Sequence, residues 1–171
     1  AASDVYKRQI YDRTALKLSL EDHKKFEEKG NKAHWRFLLD KKKICWSDMI
    51  IGSVSIDLES LSDPVFVKED GQFLYTLASV CDDIDFCITH VVRGSDHLTN
   101  TATQIQLIQD LGFDVPIYGH HSLLIDSSGD NLSKRLGSLS VREIRNSGIE
   151  PIALINLMSA LGSSKSPKLL Y

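Results

Sequence analysis

The stretch from residue 88 to residue 125 constrains the fold of this chain more than any other. Ile88-Thr89-His90-Val91-Val92-Arg93 reads as a β-strand ending in a cation and a glycine. Leu98, Ala102, Ile105, Ile108 and Leu111 recur at three- and four-residue spacing, which predicts a helix with one apolar face. Asn100 or Thr101 is its expected cap and Gly112 its end. Ile117 to Ile125 then supplies a second strand. Strand, helix and strand of these lengths predict a parallel crossover, and hence an α/β fold.

Open parallel sheets bind ligands beyond the carboxyl ends of their strands, so chemistry is expected at two places. The first is Arg93-Gly94-Ser95-Asp96-His97. Arg93 suits a bidentate pair with a carboxylate, and Asp96 suits a ribose hydroxyl. A salt bridge from Arg93 to Asp96 or Asp83 is the competing reading, and His97 reads equally as a polar residue at a helix start. The second place is the loop after the next strand, where Gly129 and Gly137 bracket Leu132-Ser133-Lys134-Arg135. Adjacent Lys and Arg on a loop with glycine hinges suit a phosphate chain, although a solvated basic turn carries the same residues. An aliphatic-Ser-Lys-Arg match arises by chance in about one chain in a hundred of this length, so context has to decide. His120-His121 lies within a strand and its side chains face opposite ways, so a metal pair is not expected. Asp82-Asp83-Asp85 lacks calcium-loop spacing and reads as a turn.

The remainder of the chain narrows the class. At 171 residues and 42% hydrophobic it is long enough for one domain with a sizeable core. The net charge of −3 provides no overall basic field, but the first 69 residues hold 13 of the 20 Lys and Arg, so an RNA backbone would use that part. Three cysteines without paired spacing (Cys45, Cys81 and Cys87) argue against a zinc site or a disulfide framework and for reduced thiols in a cytoplasmic protein. Pro151 to Leu161 is the longest apolar run and falls short of the roughly 20 residues a membrane helix needs, so no membrane partner is expected. Residues 1 to 9 read as a non-native tag.

Upstream of residue 70, Ser19 with Asp22 resembles a capping box for a helix from Leu20 to Lys29, closed by Gly30. His34 to Leu39 and Lys43 to Trp46 predict a strand pair. Ser53 to Asp57 and Val65 to Lys68 add short strands around an Asp63-Pro64 turn. Phe73 to Cys81 fits either a helix or a buried strand. Beyond the Lys134 loop, Val141 to Asn146 and a segment opening at Pro151 predict two helices, the second burying Leu154, Leu157 or Met158, and Leu161.

Asp70-Gly71, Leu74 to Asp83, Ile88 to Thr101 and Leu132-Ser133-Lys134-Arg135 together closely resemble bacterial glutamyl-tRNA synthetases, class I aminoacyl-tRNA synthetases. Tyr11-Asp12-Arg13 and His34 to Asp40 are similar to that family's inserted acceptor-binding domain, which argues against the shorter tRNA-modifying glutamyl transferase. The resemblance covers about residues 10 to 164, with glutaminyl-tRNA synthetase the other near relative. It implies an internal fragment of a monomeric parent enzyme, divided in three. Residues 10–69 would be part of the acceptor-binding insertion, and 70–137 the second half of a Rossmann-like nucleotide-binding catalytic domain. Residues 138–171 would be a truncated helical region contacting the tRNA stem.

The implied reaction is ATP-dependent activation of glutamate to glutamyl-adenylate, followed by transfer to the 3′ end of tRNA(Glu). ATP is a substrate, Mg2+ is expected with it, and no zinc site is expected in this fragment. Lys134 matches the second lysine of the family's phosphate-binding motif and is the implied catalytic residue. Leu132, Ser133 and Arg135 accompany it at ATP, with Asp96 and His97 beside the adenosine. Tyr75 and Arg93 match the glutamate pocket, Arg93 recognising the side-chain carboxylate. Ser79 falls where some relatives place an asparagine. Asn131 replaces the motif's usual first lysine, which implies weaker phosphate attraction. The family's His-x-Gly-His-like motif does not occur in these 171 residues, so the isolated chain is expected to be inactive. The alternative is a non-catalytic module, derived from the same family, that binds the tRNA acceptor end.

Overall fold

The computed structural model describes residues 10–124 and 140–161. They divide into two units, one ending at Ser122 and the other beginning at Leu123.

In the first unit, α1 (Leu20–Glu28) has the expected capping box: Ser19 Oγ accepts from Asp22 N, and the Asp22 carboxylate accepts from Ser19 N at 3.1 Å. Those bonds to Ser19 hold the Asp22 carboxyl below its ordinary value. Gly30 follows at a φ of +78°, a left-handed conformation that suits a residue without a Cβ.

Strand pairing departs from the sequence expectation. β1 (Trp35–Arg36), β2 (Lys43–Asp48), β3 (Gly52–Asp57) and β4 (Val65–Val67) form two antiparallel pairs, β1 with β4 and β2 with β3. Residues 34–39 and 43–46 therefore do not pair with each other. The turn after Asp48 explains why: its carboxylate accepts from Ile50 N and Ile51 N at 3.0 and 3.2 Å, and Gly52 sits at +81°. This tight turn folds β2 onto the downstream strand. Leu39 is then free to enter the core, where its N–H donates to buried Asp63 at 2.9 Å. The same carboxylate takes two bonds from Arg13, each at 2.7 Å, which ties the start of the described chain to this layer.

The ambiguous run resolves as α2 (Tyr75–Asp85), because Leu77, Val80 and Ile84 face Leu107 and Ile108 at helical spacing. Asp82, Asp83 and Asp85 thus belong to the end of a helix, where a turn was expected. β5 (His90–Gly94), α3 (Leu98–Asp110) and β6 (Ile117–His121) form the predicted parallel crossover, with Arg93 opposite His120. The expected cap of α3 is absent. A 3-10 turn at Ser95–His97 starts the winding one step earlier, and Thr101 lies inside the helix, its Oγ1 3.1 Å from His97 O. Gly112 ends the helix at +79° as expected.

Every residue of α3 from Thr101 to Ile108 is buried. One side meets α2 and Phe66; the other meets Leu39, Ile44 and Leu58. An apolar stripe describes only half of such a helix, and Thr101, Gln104 and Gln106 must satisfy their polar atoms inside. The β2–β3 turn also docks on the outer edge of β6. Met49 N donates to Tyr118 O at 2.9 Å, and a Cβ at Gly119 would meet Met49 Cε at 3.0 Å. That contact covers part of an edge that would otherwise offer unpaired backbone groups.

In the second unit, α4 (Val141–Asn146) carries a capping box from Ser140 and Glu143. α5 (Pro151–Leu161) starts at its proline as expected. Its predicted buried face is not buried: Leu157, Met158 and Leu161 are exposed, and Leu154 is half-buried. The helix is apolar nearly all round.

Candidate active site

Arg93 leaves the carboxyl end of β5 and ends among neutral partners. Its Nη1 donates to Tyr75 Oη at 3.0 Å, and its Nη2 donates to Thr101 Oγ1 at 2.6 Å and to Gln104 Oε1. Its guanidinium lies 5.3 Å from the centroid of the Tyr118 ring. The competing salt bridge to Asp96 or Asp83 is not formed; among the described residues Arg93 has no carboxylate partner within ion-pair distance. Asp83 still senses the cation. Burial pushes its carboxyl above the ordinary value, and Arg93 opposes that rise.

The other described residues of the predicted site sit close by. Tyr75 opens α2, and its ring faces His97 at 5.6 Å between centroids. Ser79, one helical turn further, accepts from Gln104 Nε2 at 2.7 Å. Gln104 thus holds Arg93 with its oxygen and Ser79 with its nitrogen, joining two residues that the sequence placed in one pocket. Asp96 and His97 occupy the 3-10 turn after β5, with His97 Nε2 and Asp96 Oδ2 3.8 Å apart. Leu132, Ser133, Lys134 and Arg135, with Asn131, lie outside the described residues.

Near this point Arg93 Nε, His97 Nδ1 and Tyr118 Oη are buried without a hydrogen-bond partner among the described residues. Burial pushes the Tyr118 phenol up to about 12, Arg93 opposing and Asp83 adding, so it stays protonated and able to donate. Unpaired buried groups cost free energy, and a ligand bearing acceptors would relieve it. Tyr75 is exposed and Arg93 half-buried, so these two can meet an anionic or acceptor-rich group from solvent, with Tyr118 buried beneath them.

Behind Arg93 runs a second set of residues that the sequence reading did not select. His120 is fully buried; its Nδ1 donates to Asp48 Oδ2 and its Nε2 meets Thr101 Oγ1 at 2.8 Å. Asp48 also accepts from the His120 backbone N–H at 3.0 Å. Burial by itself would raise the Asp48 carboxyl, but the donors from His120, Ile50 and Ile51 outweigh it and hold the group well below the usual carboxylate range. His121 points outward, as strand alternation requires. The available signal for Thr101 and Gln104 was their three-residue spacing inside an apolar helix. Asp48, 72 residues from His120, left no such signal.

Among the described residues no group of three or more His, Cys, Asp or Glu side chains converges as a metal site, and no helix is long and apolar enough to cross a membrane.

A parallel crossover with a basic and aromatic cluster at its carboxyl end defines a nucleotide-fold α/β protein. Residues 2–169 match the family of class I tRNA synthetases (E and Q), catalytic domain, and the chain belongs to that family. It is 53% identical over 163 residues to glutamate–tRNA ligase 1 of Paracoccus denitrificans, covering 95% of this chain and 37% of that protein. It is 55% identical over 164 residues to glutamate–tRNA ligase 1 of Cereibacter sphaeroides, with the same coverage of 95% and 37%. A crystal structure of a glutamate tRNA ligase from Elizabethkingia meningosepticum in complex with its amino acid superposes with a TM-score of 0.62 at 32% identity, covering 78% of this chain and 26% of that one. The chain thus spans little more than a third of the length of these curated relatives.

Proposed function

We propose that this chain is an internal portion of a glutamate–tRNA ligase that forms glutamyl-adenylate from L-glutamate and ATP and passes the glutamyl group to the 3′ end of tRNA(Glu). The observation that carries the reading is the state of Arg93. Its charge is held by hydroxyl and amide acceptors, and among the described residues no carboxylate lies within bonding distance and Nε has no partner. A guanidinium kept in that state is ready for the carboxylate of a ligand. Tyr75 and Ser79 complete the glutamate side of the site, while Asp96 and His97 stand on the adenosine side. Residues 10–69 act as part of the acceptor-binding insertion, 70–137 as the second half of the catalytic domain, and 138–171 as a helical region toward the tRNA stem. The parent works in the cytoplasm as a monomer, and Mg2+ arrives with the ATP phosphates, which supply most of its ligands.

Lys134 neutralises charge building on the phosphates as pyrophosphate leaves, an electrostatic role that needs no proton transfer. In the full-length protein that carries this chain, Lys134→Ala lowers the rate of glutamate-dependent ATP–pyrophosphate exchange by about a hundredfold, the cost of roughly 3 kcal/mol for one lost charge-stabilising donor. An unchanged exchange rate removes Lys134 from the mechanism. The 171 residues by themselves do not charge tRNA, because no His-x-Gly-His-like partner for the Leu132 to Arg135 motif lies among them. Aminoacylation by the purified chain overturns that expectation, and glutamate-dependent exchange by the full-length protein is the test of the function itself.

A further inference from the structure

The bonds behind Arg93 run inward through three elements. Asp48 ends β2, His120 lies in β6, Thr101 lies in α3 and Arg93 lies in β5, and each bonds the next. Asp48, His120 and Thr101 are 4%, 0% and 0% exposed, so water does not compete for these bonds. We infer that Asp48, His120 and Thr101 form a positioning relay that fixes the Arg93 guanidinium for its carboxylate substrate, an inference that rests on the glutamate-recognising reading of Arg93.

The direction of each bond follows from chemistry. Asp48 is a carboxylate and can only accept, so His120 presents Nδ1–H to it. That bond fixes the ring and aims Nε2 at Thr101 Oγ1, 2.8 Å away. Nε2 is then the acceptor of the ring and takes the single Thr101 hydroxyl proton, which leaves an oxygen lone pair for Arg93 Nη2 at 2.6 Å. Gln104 takes another Nη2 hydrogen. Nη2 is thereby fully committed to the protein, while Nε and one Nη1 hydrogen are not.

A turn cap alone does not call for this arrangement. The bonds from Ile50 N and Ile51 N to Asp48 Oδ1 close the β2–β3 turn without Oδ2, the His120 ring or Thr101. What the extra residues supply is a negative charge three hydrogen bonds removed from Arg93. It compensates a half-buried cation without occupying the N–H groups that recognise a ligand, as a directly paired aspartate would. An arginine has several freely turning bonds, so holding one Nη in place also removes ordering cost from the moment of binding.

Two substitutions separate the relay from general stability. Thr101→Val keeps shape and removes the acceptor of Arg93. His120→Asn keeps a donor for Asp48, and so the turn, but loses the group that reaches Thr101. In the full-length protein that carries this chain, glutamate and ATP are titrated separately in the ATP–pyrophosphate exchange reaction. Both variants raise the KM for glutamate about tenfold, the scale of one hydrogen bond to a charged group, and leave the KM for ATP within about twofold. Thr101→Ser, which keeps the hydroxyl, returns the glutamate KM to within about threefold of wild type. A glutamate KM within twofold of wild type in either variant overturns the relay, and so does a matching rise in both KM values. Should Thr101→Val lose its cooperative melt, His120→Asn carries the test. Absence of glutamate-dependent exchange in the wild-type protein is a different result: it sinks the functional reading, and the relay with it.

Discussion

Replacing Arg93 with alanine in the full-length protein that carries this chain lowers kcat/KM for glutamate in pyrophosphate exchange by about a thousandfold, or roughly 4 kcal/mol. Two losses combine. The substrate carboxylate no longer meets a guanidinium, and charge-assisted pairs of this kind are among the stronger polar contacts. In addition, Tyr75 Oη, Thr101 Oγ1 and Gln104 Oε1 each lose a donor in a partly buried place. Arg93→Lys is a milder change with an informative shape. An ammonium retains the charge but cannot reach Tyr75 on one side and Thr101 with Gln104 on the other from a planar fork. It therefore loses about a hundredfold, mostly as a higher KM for glutamate. A glutamate KM within twofold of wild type in Arg93→Ala removes this residue from substrate recognition.

The parts of this site that were legible in the sequence are those written locally. Periodicity in residues 88–121 gave the crossover, and with it the place where Arg93, Asp96 and His97 had to lie, because chain order fixes the carboxyl ends of parallel strands. Tyr75 and Ser79 are one helical turn apart on α2, but the run around them fitted a strand equally well, so their shared face came from the family resemblance. Three features were illegible for a common reason. The pairing of β2 with β3, the all-round burial of α3 and the Asp48–His120 bond each depend on what a residue meets after the chain has folded back. A helix buried on every side shows the same spacing as one buried on a single side until its polar positions are explained. Thr101 read as a cap because capping is the local use of a threonine. In the folded protein its hydroxyl serves Arg93 on a neighbouring strand.

Asp48 is where that long-range dependence is concentrated, and its replacement has the largest expected effect on stability. One carboxylate, with no solvent exposure, accepts from the backbone of Ile50, Ile51 and His120 and from the His120 ring. Asp48→Leu leaves those donors buried without an acceptor and costs about 4 kcal/mol, as when one partner of a buried polar pair is removed. Hydrogen exchange locates the damage. The amides of Ile50, Ile51 and His120 lose protection first, while Val80, in the α2–α3 core, retains it. Asp48→Asn keeps an acceptor but loses the charge, and it should fall between the two.

The pH dependence follows from the depressed carboxyl. A group held lower in the folded state than in the unfolded chain contributes its full stability above the unfolded value of about 3.9, and that contribution drains away as pH falls toward the folded value. The stability gap between wild type and Asp48→Asn is therefore widest and flat above about pH 5, and it narrows steadily below about pH 4. Denaturant melts of the full-length protein and its Asn variant at a series of pH values measure that gap directly. A gap that widens on acidification means that Asp48 is not the ionised acceptor that holds the β2–β3 turn and His120 in register with Arg93.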